Sequence, residues 1–119
     1  MADQRTVVLV SHPAITHNTL AGALASFECI EVQPAAGALS AAEMLRRVSP
    51  DAVVIDANLP QKETLALLKY IKRASTRARC IVLTTTAGTH QELRSAGADA
   101  VLFDHCSMHQ LKAAVCDTE

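Results

Sequence analysis

Eight polar residues stand at or just after the ends of short apolar runs: Ser11 and His12, Asp56 and Asn58, Thr84 and Thr85, Asp104 and His105. Gathered at one cleft, His12, Asp56, Asp104 and His105 would offer two imidazoles and two carboxylates. That donor set suits Zn²⁺ or another transition metal better than Mg²⁺. A protonated His12 beside Asp56 or Asp104 would instead form a pH-sensitive ion pair. The plainer chemistry is structural. His105 would turn to solvent and His12 would cap the first helical region. Asp56 would accept backbone N–H groups and order the loop that follows it. Thr84 can satisfy a strand-end group with its hydroxyl. No Gly-x-Gly-x-x-Gly, P-loop or Gly-x-Ser-x-Gly occurs, and no nucleophile has an adjacent base, so an enzyme reading lacks a motif.

The elements that must position these groups can be read from patterning. Apolar runs at residues 6–10, 30–32, 52–55, 80–83 and 100–103 are β-branched or Leu-rich and too short for helices. Most lack polar alternation, as parallel strands do when both sheet faces are buried. The second run, with Glu31 and nearby Pro34, reads as an edge strand. Helix signatures lie between the runs. The first carries Leu20, Leu24 and Phe27. The second opens with a capping box of Ser40 and Glu43 and a staple of Leu39 and Met44, and buries Met44, Leu45 and Val48. The third buries Leu65, Leu68 and Ile71. The fourth covers residues 89–96 and stops at Gly97. Ser107 and Gln110 cap the fifth, which buries Leu111, Ala114 and Val115. Five βα units predict an α/β domain with a parallel sheet and helices on both faces. In such a sheet, ligands gather outside the carboxyl ends of the strands, where the eight polar residues fall.

Composition narrows the classes. The 119 residues suit one domain over residues 1–119, without linker, low-complexity stretch or repeat. Half the residues are hydrophobic, 19% are charged and the net charge is −1, which excludes a disordered tail. No apolar run approaches the ~20 residues that span a bilayer, so no membrane partner is expected. No signal peptide is evident, so a cytoplasmic location is expected. Cys29, Cys80, Cys106 and Cys116 form no Cys-x-x-Cys pair and read as reduced thiols. Near-zero charge and 3% aromatics disfavour nucleic-acid binding. The run Lys69, Lys72, Arg73, Arg77 and Arg79 could touch phosphates, but also fits the solvated face and end of a helix. His17, His90 and His109 sit at polar positions and call for no special role.

Several segments resemble the receiver domain of two-component response regulators, the CheY-like fold. Val53-Val54-Ile55-Asp56-Ala57-Asn58-Leu59-Pro60 is similar to the family's phosphoacceptor segment. Val82-Leu83-Thr84-Thr85 is similar to its fourth-strand switch, and residues 96–103 to its fourth-helix end and fifth strand. His12-Pro13, Thr84-Thr85 and residues 107–111 lean toward the NarL/FixJ (LuxR-type) subfamily. The resemblance implies a (βα)5 domain with strand order 2-1-3-4-5. It implies phosphorylation at Asp56, a backbone carbonyl ligand to Mg²⁺ at Asn58 and a switch hydroxyl at Thr84. Receivers of this subfamily usually precede a DNA-binding helix-turn-helix, which implies transcription regulation as an output. This chain holds no helix-turn-helix, so nucleic acid is not expected as a partner of the domain itself. A histidine kinase, other regulators and a second copy of the chain are the implied protein partners.

The departures from the family pattern shape the functional expectation. The family's Mg²⁺-binding acidic pair falls on Val10 and Ser11 when anchored on Pro13, and on Ser11 and His12 when anchored on the strand end. Neither alignment supplies a carboxylate. The family's lysine falls at Asp104 and its switch aromatic at Val101. The connection from Thr84 to Gly97 is about two residues short of the NarL-type pattern, which points to a trimmed fourth helix. Mg²⁺ wants oxygen ligands, often carboxylates. It is therefore expected to bind weakly or not at all, with Asp56 and the Asn58 backbone as its remaining positions, and no other cofactor is expected. The expectation is a non-enzymatic, atypical receiver acting through protein contacts independently of phosphorylation. The alternatives are an ordinary receiver phosphorylated on Asp56, and a pH- or transition-metal-responsive module built on His12, Asp56, Asp104 and His105.

Overall fold

Five parallel strands form one sheet in the order β2-β1-β3-β4-β5 in the computed structural model, which describes residues 4–12, 19–74 and 77–116. The strands are β1 (Arg5–Ser11), β2 (Ile30–Ala36), β3 (Ala52–Ile55), β4 (Arg79–Thr84) and β5 (Ala100–Phe103). Val8 pairs with Gln33 on one side and Val53 on the other; Val53 pairs onward with Cys80, and Val82 with Val101. Both faces of the sheet are covered. Val8, Val10, Val53, Ile55 and Val82 enter one core cluster, whereas Val7, Leu9, Val54, Ile81 and Leu83 enter the other. This alternation follows from the two-residue period of a strand. It explains why β1, β3 and β4 read as unbroken apolar runs.

Helices α1 (Thr19–Ala25) and α5 (Met108–Cys116) cover the second cluster through Leu24, Leu111 and Val115. Helices α2 (Gly37–Leu45), α3 (Gln61–Arg73) and α4 (His90–Ala96) cover the first through Ala41, Leu67, Leu68, Ile71 and Leu93. A 3₁₀ turn at Ala87–Thr89 leads into α4, which is only seven residues long. Gly97, at φ +127°, ends α4 in a conformation that L side chains rarely adopt. Among the described residues, no helix is long and apolar enough to cross a membrane.

The two expected capping boxes have opposite outcomes. At α5 the Ser107 N–H donates to Gln110 Oε1 at 3.0 Å, and the Gln110 N–H donates to Ser107 Oγ at 3.1 Å. At α2 the helix begins at Gly37 after Ala36, without a side-chain cap, so Ser40 lies inside the helix. Leu39 is 79% exposed and does not staple Met44. The physical reason is that β2 runs to Ala36, four residues beyond the expected end, and Gly37 at φ +90° turns the chain straight into α2. Pro34 is tolerated inside β2 because the strand is at the sheet edge, where one side needs no ladder partner.

Two aspartates tie strand starts together. The Thr6 N–H donates to Asp51 Oδ2 at 2.8 Å, and the Cys80 N–H donates to Asp99 Oδ2 at 2.8 Å. In return, the Asp51 N–H donates to the Thr6 carbonyl and the Asp99 N–H to the Cys80 carbonyl, each at 2.8 Å. These pairs lie at the amino ends of the strands. The carboxyl ends remain for the polar groups of the candidate site.

Candidate functional site

The strand register brings Asp56 to the end of β1. Val10 pairs with Ile55, and the Asp56 N–H donates to the Val10 carbonyl at 2.9 Å. Val10 itself is fully buried in the core, so a carboxylate there would point into apolar packing. Ser11 and His12 follow at the half-buried end of the strand. The His12 N–H donates to Asn58 Oδ1 at 2.9 Å, and Asn58 Nδ2 donates to Asp56 Oδ2 at 3.4 Å. The Leu59 N–H donates to the Asp56 carbonyl at 3.1 Å and closes the turn. Asn58 thus acts through its side chain, bridging the β1 end and the β3–α3 loop. Pro13 and the residues leading into α1 are outside the described residues, as is His17.

At the end of β4 the Thr84 hydroxyl belongs to a threonine network. Thr84 Oγ1 accepts the Thr86 N–H at 3.2 Å and lies 3.2 Å from Thr89 Oγ1. Thr86 Oγ1 lies 3.4 Å from the same Thr89 hydroxyl. This network orders the turn before α4. A cleft of about 220 Å³ opens between it and the β3–α3 loop, lined by Ala57, Gln61, Thr64 and Thr84 among others. Gln61 Nε2 donates to Glu92 Oε1 at 2.7 Å and joins α3 to α4 beside it.

At the end of β5 the Asp104 N–H donates to the Thr84 carbonyl at 2.9 Å, which fixes Asp104 beside β4. Its side chain, 44% exposed, pairs with His105 Nδ1 at 3.6 Å. The histidine facing Asp104 is therefore its sequence neighbour, not His12. Val101 is 6% exposed and is a core residue. Phe103, two residues on and hence on the same sheet face, sits between two imidazoles. Its ring lies 5.1 Å from His90 and 5.1 Å from His105. His90 Nε2 is buried without a hydrogen-bond partner, so His90 is not the ordinary polar-face residue expected. Sequence spacing does not encode this stack, because an aromatic at position 103 gains meaning only when α4 packs over the end of β5.

The donor set answers the metal question in part. Among the described residues, no three His, Cys, Asp or Glu side chains form a group that could hold a metal ion. His12, Asp56, Asp104 and His105 thus do not assemble the transition-metal site of the alternative reading; His105 instead stacks on Phe103 and pairs with Asp104. The positions beside Asp56 at the end of β1 carry Val10, Ser11 and His12, none of them a carboxylate.

Comparison with known proteins agrees with this architecture. The sequence matches the family model described as the response regulator receiver domain over residues 7–116. The signal receiver domain of the NarL response regulator from Mycobacterium tuberculosis superposes with a TM-score of 0.84 at 16% identity, covering 97% of this chain and 95% of that one. The receiver domain of a sensor histidine kinase from Pseudomonas aeruginosa, with magnesium coordinated in its active site cleft, gives 0.80 at 20% identity, covering 94% of each chain. A protein-glutamate methylesterase/protein-glutamine glutaminase from Geobacter metallireducens is 38% identical over 66 residues, which are 55% of this chain and 19% of that protein. The chain thus matches about a fifth of the length of that curated relative. With the family model spanning nearly the whole sequence on a five-stranded 2-1-3-4-5 sheet, the chain belongs to the response regulator receiver domain family.

Proposed function

We propose that this receiver domain signals through protein contacts without depending on phosphorylation of Asp56. The observation that carries the reading is Asp104. A carboxylate, paired with His105, stands at the β5 end where the family places the lysine that meets the phosphoryl group. Phosphoryl transfer is helped mainly by positioning and by neutralising charge on the equatorial oxygens. Here Asp56 has Asn58 as a neutral neighbour, and the β1 end supplies Ser11 and His12 in place of carboxylates. A phosphoryl group on Asp56 would add negative charge with no lysine at the β5 end to offset it. Asp56 then serves structurally, holding the β3–α3 loop through Asn58 and Leu59. Mg²⁺ is not required for this role, and the domain itself performs no catalysis.

The partners in this reading are proteins: a histidine kinase, another regulator or a second copy of the chain. Any methylesterase activity belongs to the curated relatives, and an enzymatic or DNA-binding unit joined to this domain in a longer protein would be its output. The test is intact-mass spectrometry after incubation with acetyl phosphate and Mg²⁺, with Asp56→Ala as control. No added phosphate is the expected result. Stoichiometric phosphate that vanishes in the control would restore an ordinary phosphorelay receiver.

A further inference from the structure

Cys29 and Cys116 lie 87 residues apart in sequence, yet their sulfurs are 3.6 Å apart. We propose that this pair is a redox-modification site, oxidised by hydrogen peroxide to a disulfide that fastens the last turn of α5 to the entrance of β2. Both side chains are half-buried and pack on the core cluster under α1 and α5. The backbone around each is already held. The Cys29 carbonyl accepts the Arg5 N–H at 2.8 Å, and Cys116 follows Val115, on the buried face of α5. A disulfide bond of about 2.05 Å needs the sulfurs to close by less than ~2 Å, a change that side-chain rotation can supply.

The chemistry balances with one peroxide. One thiol gives up its proton and its sulfur attacks a peroxide oxygen; the O–O bond breaks, leaving a sulfenic acid and a hydroxide that takes up that proton and departs as water. The second sulfur attacks the sulfenic sulfur, the S–O bond breaks, the S–S bond forms and a second water leaves. Two thiols are oxidised by two electrons and the peroxide is reduced to two waters. Burial, and then the Cys29 sulfur, push the Cys116 thiol up, and the nearby Arg5 and Lys112 offset only part of that rise. The other cysteines are internal controls. Cys80 is buried, with its thiol pushed up to about 12, and Cys106 is also raised by burial. Neither shares a sulfur contact with another cysteine among the described residues.

The full chain is treated with hydrogen peroxide, then blocked with an alkylating reagent and mapped by peptide mass spectrometry. The expected result is loss of two alkylatable thiols, with the Cys29 and Cys116 peptides linked and released by dithiothreitol. Because the bond closes a long loop, the oxidised chain should melt ~5–15 °C higher than the reduced one. Cys29→Ser and Cys116→Ala should each abolish the link and the shift. Four alkylated thiols after peroxide, oxygen added to sulfur without a cross-link, or a link through Cys80 or Cys106 or between chains would overturn the proposal. The mapping on the unsubstituted chain decides this even where a variant folds poorly.

Discussion

Asn58 accepts the backbone N–H of His12 at 2.9 Å and so joins the end of β1 to the loop after β3. Its amide also reaches the Asp56 carboxylate at 3.4 Å. Replacing Asn58 with Ala removes both bonds, although solvent can rehydrate the exposed partners. The expected loss is about 1 kcal/mol, the usual net value of a hydrogen bond, read by urea denaturation. Asn58→Asp keeps an acceptor for His12 but sets a carboxylate against Asp56, so it should recover less than half of the loss at neutral pH. Full stability in Asn58→Ala would show that the bridge carries no weight.

Two glycines should respond in opposite directions. Gly97 sits at φ +127°, and a Cβ there would meet Lys72 Cδ at 3.5 Å and the Leu68 carbonyl at 3.6 Å. Those contacts are ordinary, so the backbone conformation decides the outcome. Gly97→Ala should destabilise by about 1–2 kcal/mol. Gly22 lies exposed within α1, and a Cβ there meets nothing within 4 Å. Gly22→Ala should stabilise by ~0.5–1 kcal/mol through helix propensity. Thermal melts of the two variants check both signs at once.

The sheet was legible because β1, β3 and β4 are buried on both faces, which writes them as apolar runs. The cap of α5 was legible because Ser107 and Gln110 lie within one local turn. The start of α2 was not, because it depends on β2 pairing with β1 as far as Ser11↔Ala36. That pairing carries Pro34 and two alanines into a strand their own propensities would not select. At the site, the positions of Asp56, Thr84 and Asp104 followed from strand ends. The Asn58 side-chain bridge, the Phe103 stack and the Cys29–Cys116 contact did not. The Asn58 bridge and the cysteine contact join residues 46 and 87 positions apart, and the Phe103 stack needs α4 folded back over the end of β5, so no spacing rule encodes these meetings.

Cys80 sets a pH dependence. Burial, with a smaller contribution from Asp99, pushes its thiol from the ordinary 9.0 up to about 12. Below pH 9 the thiol is protonated in both folded and unfolded chains, and its contribution to stability is fully present. Between 9 and 12 the unfolded chain loses this proton while the folded chain keeps it, so stability falls as pH rises. The slope for one such group is about 1.4 kcal/mol per pH unit. Chemical denaturation at pH 8, 9 and 10 should show this fall, and a Cys80→Ala variant should lose that component of it. An unchanged pH slope in the variant would contradict the assignment.

Restoring the missing charges should restore phosphoacceptance. Asp104→Lys places an ammonium where the carboxylate now stands, and Ser11→Asp with His12→Asp places two carboxylates at the half-buried end of β1. Asp104 is 44% exposed and its pairing with His105 is at the surface, so the lysine substitution should change stability by less than ~0.5 kcal/mol. Alone it adds a helper cation but no metal donors, and acetyl phosphate should still leave the chain unmodified. Together the three substitutions supply both, and phosphate on Asp56 should accumulate at least about tenfold faster than in the unsubstituted chain, equivalent to ~1.4 kcal/mol off the barrier. Intact mass read over time, with and without Mg²⁺, separates the contributions. Equal labelling of the single and triple variants would mean that Asp104 alone withholds the phosphate. Labelling of neither would locate the block elsewhere, with the Thr84–Thr86–Thr89 network beside the cleft as the next place to substitute.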